Sequence, residues 1–385
     1  MSPSSTWLRQ LLTKPIRNGV VAFAAFFSLI LLLQLFRNPA LIGSRSGGQR
    51  WRAGVTVSAA RQRSLNDVRN STLGFERIVA INLPERTDHR DGLVLQTAVS
   101  DIKVDFINGV SRSSIQSKVL PTGHRHDEVP PWIGAWRAHM NAISHVVEKN
   151  WTSALILEDD VDWDIRLKSL LQDFALSTDD LLRHRDQGRR ALSAVDTSRV
   201  PSSSPFGDGW DVLWLGHCGM ELPIDDQIPV ILHHDDLSVP QVEYQKSYDI
   251  KAESPLRSLP PHTRAVAYGA RQGTCSLAYA VSRTGASRLL NDLGLKRLDN
   301  AFDLSLRDWC EGNNGHQRHT CISVLPQLFD HYRPAGSDIG DSEINPEDDK
   351  HRDKAYTRNI RWSVRLNIDK LLSGDKDFDD QYPDV

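Results

Sequence analysis

Five carboxylates, Glu158, Asp159, Asp160, Asp162 and Asp164, fall within seven positions directly after the apolar run Ala154-Leu155-Ile156-Leu157. Side chains this crowded repel one another, so at least two must be ion-paired, protonated or bound to a divalent cation. An acidic loop facing water is the plainest alternative. A wholly apolar strand that ends abruptly in charge argues instead for a built site.

Three chemistries suit such a cluster. A calcium loop of EF-hand type would place Asp160, Asp162 and Asp164 at its first, third and fifth positions, but Ile165 and Leu171 then replace the turning glycine and the bidentate glutamate. That reading fails. A phosphohydrolase of the haloacid-dehalogenase kind also carries D-x-D after a strand, and Asp160 and Asp162 fit it, although Asp164 stands where a threonine is expected. The third is the D-x-D or E-x-D motif of a nucleotide-sugar transferase, whose carboxylates hold Mn²⁺ or Mg²⁺ against a diphosphate leaving group.

Any of these needs a strand end to carry the cluster. "ERIVAINL", 76 to 83, is a β-branched apolar run stopped by Pro84, and "TDHRDGLVLQTAV" after it starts a helix with Thr87 or Asp88 as its cap. "KVDFINGV" reads as a second strand. "WIGAWRAHMNAISHVVEKN" places Ile133, Trp136, Met140, Ile143 and Val147 on one helical face and feeds "SALILEDD". This alternation predicts an α/β fold with a parallel sheet, whose ligands gather beyond the carboxyl ends of its strands. Residues 177–208, rich in Ser, Asp and Arg, read as an exposed insertion. "WDVLWLG", "CSLAYAVSR" and "HTCISVLPQLF" supply further strands, and "TGASRLLNDLG" and "NAFDLSLRDWC" supply helices. The alternation of Ile360, Trp362, Val364, Leu366 and Ile368 with polar residues predicts a closing strand.

The uncharged stretch from Gly19 to Phe36, flanked by Lys14, Arg17 and Arg37, is long enough to span a hydrocarbon core of about 30 Å. Arg37, Asn38 and Pro39 stand where a small-x-small cleavage site would follow, which favours an uncleaved signal anchor over a signal peptide. The expected organisation is a cytoplasmic tail over 1–18, a transmembrane anchor over 19–36, a flexible stem over 37–75 and a catalytic domain over 76–385. Basic residues flank the anchor on both sides, so charge alone leaves its orientation open. Residues 1–75 hold ten Lys and Arg against one acid, leaving 36 basic and 48 acidic residues in the body, a formal charge of −12. Such a body repels phosphate backbones, and nucleic acid is not an expected partner.

Cys218, Cys275, Cys310 and Cys321 all follow the anchor without a C-x-x-C pair. They allow two disulfides, with Cys310 and Cys321 closing a short loop, or buried free thiols. Glycosylation sequons begin at Asn70 and Asn150. Together these features point to a lumenal body, hence a single-pass type II membrane protein. The terminal "QYPDV" is no K-D-E-L retention signal, which favours the Golgi over the endoplasmic reticulum.

The segments "VAINLPERTDHR", "IGAWRAHMNAISHV", "ALILEDDVDWD", "WDVLWLGHCG", "AYAVSRTGASRLL" and "VLPQLFDHYRPAGSDI" follow one another from about 77 to 340. In order and approximate spacing they resemble glycosyltransferase family 25, which includes lipooligosaccharide and collagen galactosyltransferases. The resemblance implies a GT-A-like fold with a mixed, mainly parallel sheet. It also implies Mn²⁺ or Mg²⁺ as cofactor, a UDP-sugar donor, galactose as the sugar, and a glycan or glycoprotein acceptor.

Residue by residue, the resemblance places Asn82, Leu83, Arg86 and Arg90 near the nucleotide, where arginines can hold a diphosphate bidentately. Surface helix charges are the plainer reading of both arginines. The family's Ser-His pair corresponds to Ala138-His139, so the histidine is kept and the hydroxyl is not. His139 is then either a binding residue or a structural hydrogen-bonding one. The matched acidic triplet is Glu158, Asp159 and Asp160. Along an extended strand Glu158, Asp160 and Asp162 share a face, which makes Asp160, Glu158 and Asp162 the metal candidates. Asp159 would fix the loop or the ribose, and Asp164 would cap the next helix. Family members invert at the anomeric carbon, which requires a base, and Asp303 and Asp299 are the candidates. Tyr279 would line the acceptor side or fill the core. The alternatives to a transferase are a membrane-anchored carbohydrate-binding or scaffold protein without catalysis, and the phosphohydrolase.

Overall fold

The computed structural model of the protein describes residues 57–121, 129–202, 204–225, 227–245, 255–336 and 351–384. Two expectations are corrected at the outset: a fold preceded by a transmembrane helix, and a single-pass type II protein with a lumenal body in the Golgi. No helix among the described residues is long and apolar enough to cross a membrane, and the 19–36 segment itself lies outside those residues.

The described residues open with α1 (Ala59–Asp67), capped by the Ser58 hydroxyl, which accepts from the Arg61 amide. Then follow β1 (Arg77–Asn82), α2 (Thr87–Val99), β2 (Asp105–Asn108), α3 (Ile133–Glu148) and β3 (Ser153–Glu158). After α3, Asn150 takes a left-handed conformation, φ +56°, which turns the chain into β3. β4 (Val161–Trp163), α4 (Leu167–Arg183), β5 (Arg189–Ala191), β6 (Val212–Gly216), β7 (Gly219–Glu221) and β8 (Val230–His233) come next. β9 (Arg264–Tyr268), β10 (Arg271–Thr274), β11 (Ala278–Ser282), α5 (Arg283–Leu289) and α6 (Phe302–Glu311) follow. β12 (Cys321–Leu325), β13 (Phe329–Arg333), β14 (Tyr356–Thr357) and α7 (Ile368–Ser373) complete the described elements.

The central sheet has the order β2-β1-β3-β11-β6-β12-β9-β8-β5, with β13 joined to β6, β4 and β14. β1 pairs parallel with β2 and β3, as the strand–helix alternation predicts. β11 then enters antiparallel between β3 and β6, and β9 antiparallel between β12 and β8. The sheet is therefore mixed, and the expectation of a mainly parallel one is corrected. Local alternation marks strands; it carries no information about the direction in which a distant strand is inserted.

Strand alternation divides the core between the two sheet faces. Ile78, Ala80, Leu155 and Leu157 pack with Leu171 and Phe174 of α4, while Val79, Ala154 and Ile156 pack with Trp136, Met140 and Ile143 of α3. The β3 strand is thus covered on both sides. That explains why its sequence is apolar without interruption.

Residues 57–75, expected within the flexible stem, pack onto the body. Arg61 is fully buried, donates to the Ala175 and Pro205 carbonyls and lies 3.8 Å from Asp179. Residues 177–208, expected as an exposed insertion, begin inside α4, where Asp179 and Asp180 are buried and Asp180 pairs with Arg190 at 2.5 Å. The expected strand over 360–368 is instead a run of turns leading into α7, with an isolated bridge between Ser363 and Asp164. Its alternation arises because Ile360 and Val364 reach the core while Ser363 serves a buried carboxylate. All four cysteines are bonded, as Cys218–Cys275 and Cys310–Cys321.

Candidate active site

β3 ends at Glu158, and the turn Asp159–Asp160 separates it from β4. The turn breaks the extended run on which a common face for Glu158, Asp160 and Asp162 depended. β4 pairs antiparallel with β13, which brings His331 opposite Val161. Glu158, Asp160 and His331 each offer one ligand-type atom, and these atoms all lie within 4.8 Å of one another.

Asp160 Oδ2 accepts from Arg333 Nη1 at 2.9 Å and lies 3.6 Å from His331 Nε2. Burial opposes the charge on Asp160, but the positive surroundings of His331, Arg333 and His89, with the Arg333 hydrogen bond, hold the carboxyl below its usual range. Burial lowers His331 against the attraction of Asp160; an imidazole ligates a metal in its neutral form. Two carboxylate oxygens and one imidazole nitrogen at this spacing suit a divalent cation that takes oxygen and nitrogen ligands together, such as Mn²⁺, better than the oxygen-preferring Mg²⁺.

Asp162 stands apart from this group. Its fully buried carboxylate accepts from Gln96 at 2.9 Å, Thr357 at 2.5 Å, the Trp163 and Arg365 amides at 2.7 and 3.2 Å, and the Ser363 hydroxyl. Five donors tie it to α2 and the C-terminal segment. Asp164 accepts from the Arg166 amide and guanidinium just before α4.

Asp159 links the ends of β3 and β1. It accepts from Asn82 Nδ2 at 2.7 Å and lies 2.9 Å from His89 Nδ1. Asn82 also donates to the Arg86 carbonyl at 3.1 Å, which shapes the loop entering α2. Arg86 forks onto Asp88 through Nε at 3.0 Å and Nη2 at 2.8 Å, and touches the His89 ring. Arg90 is exposed, with its guanidinium 4.0 Å from the Phe106 ring centre. Leu83 packs against Gly109, where an added Cβ would come within 2.9 Å of it.

His139 projects from α3 into the site, 3% exposed, and its ring stacks on Phe302 with centroids 4.3 Å apart. Its Nε2 lies 3.2 Å from Ser276 Oγ and 3.5 Å from Glu158 Oε1, and its Nδ1 lies 3.0 Å from the Tyr279 hydroxyl. Ser276 donates to Glu158 Oε1 at 2.8 Å. A hydroxyl thus reaches His139 from the β10–β11 connection, although position 138 is alanine. Tyr279 is fully buried. Asp303 accepts from the Cys275 amide at 2.8 Å, next to Ser276, whereas Asp299 pairs with Arg297 at 2.7 Å at the surface. The Cys218–Cys275 bond borders the same site, with Cys218 Sγ 3.8 Å from His331 Nδ1.

The structure therefore assembles Asn82, His139, Glu158, Asp159 and Asp160 around the β3 end and leaves Asp162, Asp299 and Arg90 elsewhere. His331, Arg333, Ser276 and His89 were not singled out from sequence. His331 and Arg333 alternate within "FDHYR", a strand with polar residues along one face, and that alternation is the only sequence signal they carry.

Comparison with known proteins adds an independent line. Procollagen galactosyltransferase 2 of Homo sapiens is 24% identical over 224 aligned residues, taking in 49% of this chain and 36% of the relative. The protein of the same name in Mus musculus is 23% identical with the same shares. The chain thus spans 36% of the length of the curated relatives it matches. No family model matches it.

Proposed function

We propose that this chain is a metal-dependent glycosyltransferase that moves a sugar, galactose by likeness to its relatives, from a UDP-sugar to a hydroxyl of a glycan or glycoprotein acceptor. The observation that carries this reading is the convergence of Glu158, Asp160 and His331 at the carboxyl end of a buried strand, in a chain similar to named galactosyltransferases. Glu158, Asp160 and His331 would hold Mn²⁺ or Mg²⁺. When bound, the cation would neutralise negative charge on the departing nucleoside diphosphate.

The remaining roles belong to the chain itself. Asn82 and His89, both anchored on Asp159, set the β1–α2 loop as the nucleotide side of the site. Arg86 adds positive charge to that loop, where a diphosphate would lie. Arg333 partners Asp160 and lowers the repulsion between the two carboxylates. Asp303 is the favoured base for deprotonating the acceptor hydroxyl, because one of its oxygens holds the Cys275 turn beside Ser276 while Asp299 is paired with Arg297 at the surface. The phosphohydrolase reading loses support, since Asp162, the second carboxylate of its D-x-D pair, is enclosed by five donors.

Incubation of the purified protein with a panel of UDP-sugars and Mn²⁺ tests the proposal. Release of UDP that depends on the cation and is lost in Asp160→Asn supports it. Phosphatase activity without any nucleotide sugar, or no turnover of any donor, counts against it.

A further inference from the structure

Four side chains from three elements form one file that runs from the core to the half-buried Glu158: Tyr279 on β11, His139 on α3, Ser276 before β11, and Glu158 at the end of β3. The hydroxyl of Tyr279, fully buried, meets His139 Nδ1 at 3.0 Å, its one hydrogen-bond partner among the described residues. A buried hydroxyl must donate somewhere, so the tyrosine donates and Nδ1 accepts. The imidazole proton then sits on Nε2, which faces Ser276 Oγ at 3.2 Å. With its lone pair so engaged, Ser276 directs its own proton to Glu158 Oε1 at 2.8 Å. Burial pushes the Tyr279 hydroxyl well above its ordinary pKa, which keeps it a donor. The Phe302 ring stacked at 4.3 Å fixes the imidazole plane.

We infer that Tyr279, His139 and Ser276 form a one-directional hydrogen-bond relay that positions Glu158 for a divalent cation, occupying Oε1 and leaving Oε2 for the ion. Tyr279 and Ser276 are then positioning residues, and His139 acts through Ser276 rather than by contact with the nucleotide. Removing the tyrosine hydroxyl takes away the donor that holds Nδ1 as an acceptor, so the orientation of the imidazole and its N–H toward Ser276 is less firmly fixed. The inference rests on the metal reading above.

The test is the Mn²⁺ affinity of the full chain by electron paramagnetic resonance, beside ¹⁵N shifts of the His139 ring and thermal melting without metal. Tyr279→Phe and Ser276→Ala should each weaken Mn²⁺ binding about 10–100-fold, the usual effect of losing an outer-shell partner. Melting should stay near wild type, Ser276→Thr should restore affinity, and the wild-type His139 ring should carry its proton on Nε2, a proton on Nδ1 instead overturning the relay. Wild-type binding with unchanged affinity in both variants overturns the relay and leaves the metal reading intact. Absence of Mn²⁺ binding by the wild type overturns both.

Discussion

Nε2 of His331 lies 3.6 Å from Oδ2 of Asp160, carried there by the antiparallel pairing of β13 with β4. The same pairing sets Asp330 opposite Asp162, on the far side of the ribbon from that contact. Two carboxylates in one acidic run therefore have different work, and substitutions should separate them.

Asp160→Asn should lower cation-dependent sugar transfer by about 100-fold or more, because a metal centre supplies several kcal/mol of charge stabilisation. Asp162→Ala should leave Mn²⁺ affinity near wild type but reduce stability by about 2–4 kcal/mol, since five donors lose a buried acceptor. Metal titration and chemical denaturation of both variants decide the matter. The reverse pattern would move the metal to Asp162.

Asp159 holds Asn82 and His89, and so the loop between β1 and α2. Asp159→Ala should raise the donor KM by about 10-fold, the equivalent of one charge-assisted hydrogen bond, while Mn²⁺ affinity changes little. Steady-state kinetics with varied donor would show this. A fall in Mn²⁺ affinity as large as that of Asp160→Asn would instead make Asp159 a ligand.

The two disulfides should behave differently. Cys218–Cys275 adjoins both His331 and Ser276, so replacing the pair with serine should weaken Mn²⁺ binding as well as lower stability. Cys310–Cys321 closes a loop of sequence separation 11, so its removal should lower stability by about 2–4 kcal/mol with little effect on the metal. Equal losses of affinity in both double variants would contradict this.

Acid should destabilise the fold through two histidines. Burial holds His217 and His233 at about 4, whereas the unfolded imidazoles titrate near 6.5. As pH falls below about 6.5 the unfolded chain takes up protons first, so stability declines until the folded groups also titrate near 4, by about 3 kcal/mol for each. Asp330, raised to about 7 by burial, acts in the opposite sense: its contribution is full at low pH and is lost as pH rises through 7. His217→Gln should therefore show a loss of unfolding free energy between pH 7 and 4 smaller than wild type by about 3 kcal/mol. An identical pH profile would place His217 in water.

Much of this arrangement was legible in the sequence, for physical reasons that also mark its limit. The uninterrupted apolar run of β3 announced a strand buried on both faces, and α3 announced itself through the spacing of Ile133, Trp136, Met140 and Ile143. Local pattern could also find the end of β3, hence Glu158 and Asp160. It could not see the turn at Asp159–Asp160, because turn and extended strand are equally compatible with a run of acids, and so Asp162 was grouped with the wrong neighbours. His331 and Ser276 reach the site only through β13 and β11, whose partners are set by the whole sheet. The alternation over 360–368 misled because apolar residues at every second position also arise where turns bury polar side chains such as Arg361, Ser363 and Asn367 beside Ile360 and Val364.

The central claim is that one divalent cation sits between Glu158, Asp160 and His331. Pulsed electron paramagnetic resonance of the Mn²⁺-loaded protein tests it most directly, since an imidazole ligand imprints its nitrogen coupling on the metal signal. The account predicts one bound Mn²⁺ with a single-histidine nitrogen coupling that disappears in His331→Gln. A bound Mn²⁺ whose nitrogen coupling persists in His331→Gln, or one with no nitrogen coupling at all, would contradict it.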